Sequence, residues 1–326
     1  MGILVVAECR AGKPSALSLE LLALARTLLV DRSDAPSGVS AVAFGAPARA
    51  SAGALLAHGA ERVLVADPDG DGAFDSDLWC GTVEAIARAR APELVLLPHG
   101  ACGSDLAPRL AARLGGAVAS ACTNISRSAG ALRFTRSCHG GNALEQLRLT
   151  VSPAIATVRN GACEALPFDA SRQGSVIPFA ATGIRRTRVL ARQRDSADTL
   201  RLEDARVVVA GGRGVQGAPG FAALQQLADA LSGAVAATRV ACDLGWCPRS
   251  WQVGLTGKSV APQLYLAVGI SGASHHMAGC AAASTIVAIN PDAQAPIFQY
   301  ARFGITRDWT EMFPELLAAI AALEQR

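Results

Sequence analysis

Three short stretches of the sequence carry residue types that could hold phosphates or a ring, and the first is rich in glycine. It reads VVVAGGRGVQG at residues 207–217, where an apolar run passes into glycines and then into a helical pattern. Glycines let the backbone approach a phosphate closely, a helix start supplies amide donors, and the Arg213 guanidinium offers a charged fork to a pyrophosphate. The spacing lacks the second half of the dinucleotide fingerprint. A structural turn that only packs the strand tightly against the helix explains the same glycines, so both interpretations stay open.

The second stretch is a long segment, TRVACDLGWCPRSWQVGLTGK, at residues 238–258. Long loops inside a compact pattern of strands and helices are more often functional than idle. Thr256, which precedes Gly257, offers a hydroxyl and accessible amide groups to a ring or a phosphate, although turn formation alone could explain it. Cys242 and Cys247 are too widely spaced for a CxxC motif and have no second pair, so we expect no zinc site here.

The third stretch, SGASHHMAG at residues 271–279, follows an apolar run that indicates a buried strand. Open parallel sheets bind ligands at the carboxyl ends of their strands. His275 and His276 are adjacent, and adjacent side chains on a helix point about 100° apart, so the two cannot readily share a metal ion. The chain has no G-x-S-x-G motif, and hydrolase chemistry is not supported. A binding corner and a merely structural histidine are the interpretations that remain.

The elements that would position these stretches alternate between strands and helices. Strand-like runs lie at 3–7, 40–44, 62–66 and 93–97, and helical periodicity lies at 16–29, 50–58, 76–90 and 105–114. This alternation predicts a mainly parallel sheet covered by helices on both faces. Further strands, some of them antiparallel, are expected at 131–136, 145–151 and 154–159.

A charged segment without periodicity, at about 183–204, indicates the boundary between two domains. We predict an N-terminal α/β domain at 1–184, a linker at 185–204 and a C-terminal domain at 205–326. The second alternation has strands at 206–210, 263–268, 285–289 and 296–300, and helices at 221–231 and 310–324.

Composition limits the classes of function. The chain has 326 residues, a net charge of +3 and 51% hydrophobic residues, so nothing indicates a nucleic acid or a membrane surface as a partner. No apolar run reaches the roughly 18 residues of a membrane span, and the start has no signal-peptide pattern. The nine cysteines are odd in number and scattered, which favours reduced thiols and a cytoplasmic protein.

The three stretches occur in an order that resembles a known family. AGGRGV, ATRVACDLGW, QVGLTGKSVAPQLYLAVGISGASHHMAG and STIVAINPDAQAPIFQYARFGI closely resemble the C-terminal half of the electron transfer flavoprotein alpha subunit. The first half is similar more loosely, in GGNA at 140–143 and PAIATVRNG at 153–161. The resemblance implies an N-terminal sheet layered like that of the adenine nucleotide hydrolases and a doubly wound, FAD-binding C-terminal domain.

The resemblance also implies a function and partners. Such a subunit carries one FAD, pairs with a beta subunit that binds AMP or a second FAD, and relays electrons. The donors would be acyl-CoA or other flavin dehydrogenases, as in fatty acid oxidation, and the acceptor a quinone oxidoreductase or another protein. It would be an electron carrier without substrate turnover, catalytic residues or a metal. The alternative is a nucleotide-binding or sensing module that kept the fold without redox activity, which Leu255 suggests because the family has glutamine there.

Site residues carry over by position from the resemblance. Arg213 matches a pyrophosphate-side arginine, Arg239 lies against the flavin ring, Thr256 bonds flavin N5, and the matching histidine, His276, donates to flavin O2. Trp309 replaces a leucine near the adenine, where it could strengthen stacking. The full set of predicted FAD-binding residues is Arg213, Thr238, Arg239, Val253, Gly254, Leu255, Thr256, Ser271, Gly272, Ala273, Ser274, His275, His276, Asn290, Asp308 and Trp309.

Overall fold

The computed structural model describes residues 2–30, 38–67, 69–139, 143–187, 189–191 and 201–324 of the chain. The chain divides into two units, residues 1–138 with 144–192 and residues 139–143 with 193–326. Within the predicted linker at 185–204, residues 188 and 192–200 lie outside the described residues, so its bounds stay a prediction. Residues 140–142 of the GGNA stretch also lie outside them.

Among its described residues, the first unit contains eleven strands and four α-helices. Its strands are β1 (Ile3–Val6), β2 (Cys9–Arg10), β3 (Lys13–Pro14), β4 (Val39–Phe44), β5 (Arg62–Ala66), β6 (Leu94–Pro98), β7 (Ala117–Ser128), β8 (Ala131–Cys138), β9 (Ala143–Leu147), β10 (Ala154–Val158) and β11 (Ser175–Phe179). Its helices are α1 (Ala16–Val30), α2 (Gly45–Ala57), α3 (Ser76–Arg90) and α4 (Ala101–Leu114). Nine strands form one sheet in the order β11-β5-β4-β1-β6-β10-β7-β8-β9, in which β7 and β8 are antiparallel.

The interior strand β1 shows why strands of the first unit have continuous apolar sequences. Ile3 and Val5 pack into a cluster with α1 and α2, whereas Leu4 and Val6 pack into a second cluster with α3 and α4. Successive strand residues point to opposite faces, and both faces of this sheet are covered by helices. The predicted mainly parallel sheet with helices on both faces is confirmed.

In the part of the chain that the structure describes, the second unit is a five-stranded sheet with four α-helices. Its strands are β12 (Val207–Gly211), β13 (Ala234–Ala237), β14 (Leu264–Val268), β15 (Thr285–Ile289) and β16 (Phe303–Ile305), and its helices are α5 (Ala218–Ala230), α6 (Arg239–Asp243), α7 (Ser274–Met277) and α8 (Trp309–Glu324). All neighbouring strands are parallel, in the order β13-β12-β14-β15-β16. This is the 2-1-3-4-5 order of a doubly wound sheet, whose order reverses between β12 and β14. The predicted fold class is confirmed.

One predicted element of the second unit is wrong. The apolar run at 296–300 is a 3₁₀ turn, Pro296–Gln299, and the edge strand lies later, at Phe303–Ile305. Proline has no amide hydrogen for a strand ladder and fits the start of a helical turn, and Tyr300 N donates to Ile297 O at 3.1 Å to close that turn. A short apolar run fits either element by periodicity alone.

No helix among the described residues is long and apolar enough to span a bilayer.

Candidate functional site

A cavity of about 820 Å³ opens at the carboxyl ends of four strands of the second unit, β12 to β15. This volume lies within the roughly 300–1,000 Å³ of small-molecule and cofactor sites. It also lies where the strand order reverses, which is where doubly wound sheets bind their ligands. The topology therefore brings together stretches that lie far apart in the sequence, because the residues of the cavity range from Gly212 to Pro291.

All but four of the predicted site residues line this cavity. The lining ones are Arg213, Thr238, Arg239, Val253, Gly254, Leu255, Thr256, Ser271, Ala273, His275, His276 and Asn290. Gly272, Ser274, Asp308 and Trp309 do not belong to the lining. Binding itself stays a prediction for every one of these residues.

The glycines of the first stretch bring two loops into backbone contact. Gly214 N donates to Gly269 O at 3.0 Å, and a Cβ added to Gly212 would lie 2.3 Å from the same oxygen. Gly212 N donates to Val268 O at 2.9 Å, so this amide is also used within the protein. The structure thus gives the glycines a packing role between the loops that follow β12 and β14. Arg213, between Gly212 and Gly214 in the sequence, is exposed and lines the cavity.

Thr238 and Arg239 stand at the start of α6. The Thr238 hydroxyl oxygen is buried and has no hydrogen-bond partner among the described residues. Arg239 Nε lies 3.2 Å from Asp243 Oδ2, and its side chain is 66% exposed. Asp243 also accepts from Arg249 Nη2 at 3.0 Å. One carboxylate is therefore shared by two guanidinium groups, which leaves a net positive charge at this wall of the cavity.

The turn at residues 253–256 packs against α7. Gly254 adopts φ of +144°, and a Cβ there would lie 2.9 Å from His275 O. Leu255 N donates to that carbonyl oxygen at 2.7 Å, while the Leu255 side chain is 46% exposed at the cavity. The backbone of this turn is thus fixed by α7, and the side chains of Leu255 and Thr256 remain available on its outer side.

The corner at the start of α7 supplies amide donors. The amides of Gly272, Ala273, Ser274 and His275 donate to no protein acceptor in the part of the chain that the structure describes. The first amides of any helix lack intrahelical acceptors. Gly272 has φ of +85° and packs against Ile297, where a Cβ would lie 2.3 Å from the backbone nitrogen. Gly272 therefore shapes the corner without lining the cavity.

His276 is buried and both of its ring nitrogens have protein partners. Nδ1 lies 3.1 Å from Val253 O and Nε2 lies 2.9 Å from the Tyr265 hydroxyl. A carbonyl oxygen only accepts, so Nδ1 carries the proton and Nε2 accepts from tyrosine. Burial lowers the pKa of His276 to about 4, so the ring is neutral at neutral pH. Donation to flavin O2, predicted from the sequence, therefore requires one of these hydrogen bonds to exchange.

The buried neutral histidine predicts how stability depends on pH. The unfolded chain binds a proton at His276 below its ordinary pKa of 6.5, whereas the native chain does so only below about 4. We expect the free energy of unfolding to fall by about 3 kcal/mol as the pH falls through this interval, and His276→Gln to remove that part of the slope. Urea unfolding between pH 7 and pH 4 measures it. Because burial also lowers the pKa of His99 in the first unit to about 4, His99→Gln should remove a comparable part of the slope. An unchanged slope in His276→Gln would contradict the prediction.

Of the three residues predicted on the adenine side, only Asn290 lines the cavity, and Asp308 and Trp309 do not. Asn290 lines the cavity, and its Nδ2 donates to Ile270 O at 2.9 Å. Asp308 caps α8 by accepting from Thr310 N at 2.9 Å. Trp309 packs into the apolar cluster beneath α5, with its ring centroid 6.0 Å from that of Phe313. Adenine stacking by Trp309 stays a prediction, since its indole lies outside the cavity lining.

Sequence reasoning did not select eight residues that line the cavity, and all are neighbours of strand ends or of selected residues. They are Gly212, Gly214, Gln216, Val240, Gln252, Gly269, Ile270 and Pro291. The signal that could have found them is position, because each lies in a segment that follows the carboxyl end of a parallel strand.

Comparisons with known proteins show which family the chain belongs to. The family model "Electron transfer flavoprotein domain" matches residues 3–183, and "Electron transfer flavoprotein FAD-binding domain" matches residues 201–281. The chain is 37% identical over 316 residues to an electron transfer flavoprotein subunit alpha of Bacillus subtilis, covering 96% of this chain and 95% of that one. It is 35% identical to the Mycobacterium leprae subunit, covering 98% of each chain, and 36% identical to the mitochondrial subunit of Arabidopsis thaliana, covering 78% of this chain and 72% of that one. The chain belongs to the electron transfer flavoprotein alpha subunit family.

Proposed function

We propose that this chain binds one FAD in the cavity of the second unit and carries electrons as the alpha subunit of a heterodimeric electron transfer flavoprotein. The observation that carries the proposal is the gathering of the predicted FAD residues, from four separate strand ends, around one cavity at the point where the strand order reverses. The family assignment supports a flavin as the ligand.

The chemistry of the lining fits FAD. Arg213 and Arg239 bring guanidinium groups to the cavity, and such groups bind pyrophosphate and counter negative charge. The amides at the start of α7 and the Thr238 hydroxyl, which lacks a protein partner, supply donors for phosphate or ring oxygens. Apolar side chains such as Val253 and Ile270 provide surface for a ring.

When bound, FAD supplies the redox chemistry, because it can accept and release electrons singly. The chain's own residues bind and orient it. Arg239 places a positive charge at the cavity wall. The 253–256 turn, whose backbone is bonded to His275 O through Leu255 N, forms another part of the wall. We expect no protein nucleophile and no metal to take part.

The partners follow from the same proposal. A beta subunit, which holds AMP or a second FAD, would complete the heterodimer. Acyl-CoA-type or other flavin dehydrogenases would donate electrons, and a quinone oxidoreductase or another acceptor would take them. Val240 and Leu255 line the cavity with apolar side chains that are 48% and 46% exposed, which suits a surface that another protein covers.

A second candidate, a nucleotide-binding or sensing module without redox activity, is favoured by Leu255 in the place of the family's glutamine. Co-purification with the beta subunit distinguishes the two. We expect a yellow complex with flavin absorbance that is bleached by dithionite. A colourless complex that cannot be reconstituted with FAD, but binds an adenine nucleotide, would support the module instead.

Thr238→Val tests whether the partnerless hydroxyl serves the cofactor. We expect about fivefold weaker FAD binding, because one hydrogen bond is worth about 1 kcal/mol. The apoprotein should unfold at the same or a slightly higher urea concentration, because the variant no longer buries a hydroxyl that lacks a partner. Thr238→Ser, which keeps the hydroxyl, is the control and should bind FAD normally. Equal FAD affinity in Thr238→Val and the parent protein would exclude this role.

A further inference from the structure

Gln252 lies directly before the 253–256 turn, and its backbone is held on both sides. Its amide nitrogen donates to Arg249 O at 3.1 Å, and its carbonyl oxygen accepts from Lys258 N at 2.8 Å. A Cβ on Gly257 would lie 2.9 Å from Gln252 Cγ, so the turn closes directly over the glutamine side chain. The Gln252 side chain is therefore confined to one place at the cavity wall, where it is 9% exposed.

The Gln252 side chain sets the direction of a hydrogen bond inside the turn. Its Nε2 donates to Thr256 Oγ1 at 3.0 Å, and this is the only hydrogen bond of the Thr256 hydroxyl among the described residues. An amide nitrogen can only donate, so the hydroxyl accepts here and keeps its own proton for another acceptor. If Gln252 presented its oxygen instead, it would take that proton and leave Thr256 as an acceptor only. The orientation of one buried amide thus decides whether Thr256 offers a donor to the cavity.

We propose that Gln252 is a positioning residue that fixes the Thr256 hydroxyl as a hydrogen-bond donor to an acceptor atom of the ligand ring. This inference rests on the proposed function, in which that ring is a flavin. Thr256 touches the ligand, and Gln252 acts through it. Donation into Oγ1 also polarises the hydroxyl, because hydrogen bonds in a chain strengthen one another.

A hydrogen-bond donor held by Gln252 would affect the redox potential of the ring, which a glutamine that only packs would not do. A donor aimed at the ring contributes more when the ring has gained an electron, because charge then develops on the accepting atoms. Loss of Gln252 should therefore disfavour the one-electron reduced flavin more than it weakens FAD binding. A structural glutamine would change FAD affinity or folding without this bias.

The test uses the complete heterodimer with Gln252→Leu, Thr256→Val and the double variant. FAD affinity and the first one-electron potential are measured for each, together with urea unfolding of the apoprotein. We expect Gln252→Leu to reduce the preference for the one-electron reduced state about tenfold, which is about 59 mV. Thr256→Val should do the same or more, and the double variant should equal Thr256→Val, because both changes remove one interaction. Gln263→Leu is the control, since Gln263 is exposed and its side chain bonds Arg206 instead.

The outcomes separate this inference from the proposed function. Failure of the parent heterodimer to bind FAD would remove the proposed function. Two results would overturn the role of Gln252 and leave the proposed function intact, provided that FAD binds normally. One is additive effects of Gln252→Leu and Thr256→Val, and the other is a Gln252→Leu potential equal to that of the parent. If Gln252→Leu does not fold, Gln252→Met keeps the length of the side chain without the amide and is judged by the same shift. Thr256→Ser keeps the hydroxyl, so in that background Gln252→Leu should still lower the one-electron potential, as it does in the parent.

Discussion

Replacing Arg239 with alanine is expected to lower the first one-electron potential of the bound flavin by about 60 mV, a tenfold change in the redox equilibrium. Two unit charges about 4 Å apart interact by about 4 kcal/mol near a protein surface and by about 1 kcal/mol in water. Arg239 is 66% exposed and shares Asp243 with Arg249, so the lower part of this range applies. Positive charge at the cavity favours the reduced ring over the oxidised one, and its removal takes that contribution away.

Two further variants test the electrostatic explanation of the Arg239 effect. Asp243→Asn should raise the potential, because it removes the carboxylate that partly neutralises Arg239. Arg206→Ala is the matched control, since Arg206 is exposed, bonds Gln263 and does not line the cavity. The potentials are read from reductive titrations at low and high salt, and the Arg239 effect should shrink as salt screens it. An unchanged potential in Arg239→Ala would show that the guanidinium does not lie near the ring.

Gly212→Ala is expected to damage both the fold of the second unit and its cavity. The added Cβ would lie 2.3 Å from Gly269 O and 2.9 Å from Ile270 Cα, so the loops after β12 and β14 would have to separate. Overpacking of this kind costs about 1–3 kcal/mol, and we expect the midpoint of urea unfolding to fall accordingly. FAD affinity should fall by more than tenfold, because the separated loops carry residues of the cavity wall.

The control for Gly212→Ala is Gly53→Ala in the interior of α2. A Cβ at Gly53 meets nothing within 4 Å, and the helical backbone accepts it. This variant should be more stable by about 0.4–1 kcal/mol, because alanine has less freedom in the unfolded chain. A Gly212→Ala protein as stable as its parent, with normal FAD binding, would show that the two loops can move apart at little cost.

The sequence by itself determined the elements whose patterns are local. Helix α3 has the predicted bounds, Ser76–Arg90, because Asp75 caps it by accepting from Leu78 N at 2.9 Å and its apolar face repeats at helical spacing. β1 was found because both of its faces are buried, which makes every residue apolar. β7, Ala117–Ser128, was missed because polar residues such as Asn124 interrupt its apolar ones.

The sequence also determined most of the cavity wall, through motifs that stand at strand ends. The parallel order then makes those ends neighbours, so Arg213 and residues of the 271–276 stretch line one cavity. The run at 296–300 shows the limit of such patterns, because five residues that are apolar except for Gln299 fit a strand as well as a 3₁₀ turn until Pro296 is seen to start the latter.

Only the tertiary structure decided what each polar side chain does. His276 is bonded to Val253 and Tyr265, which lie 23 and 11 residues away, and these bonds make it a neutral ring with both nitrogens in use. Trp309 was predicted beside the adenine, but its surroundings are those of the apolar cluster under α5. The physical reason is that periodicity records which face of an element is buried, whereas the direction of a hydrogen bond depends on which atoms the fold brings within about 3 Å of one another.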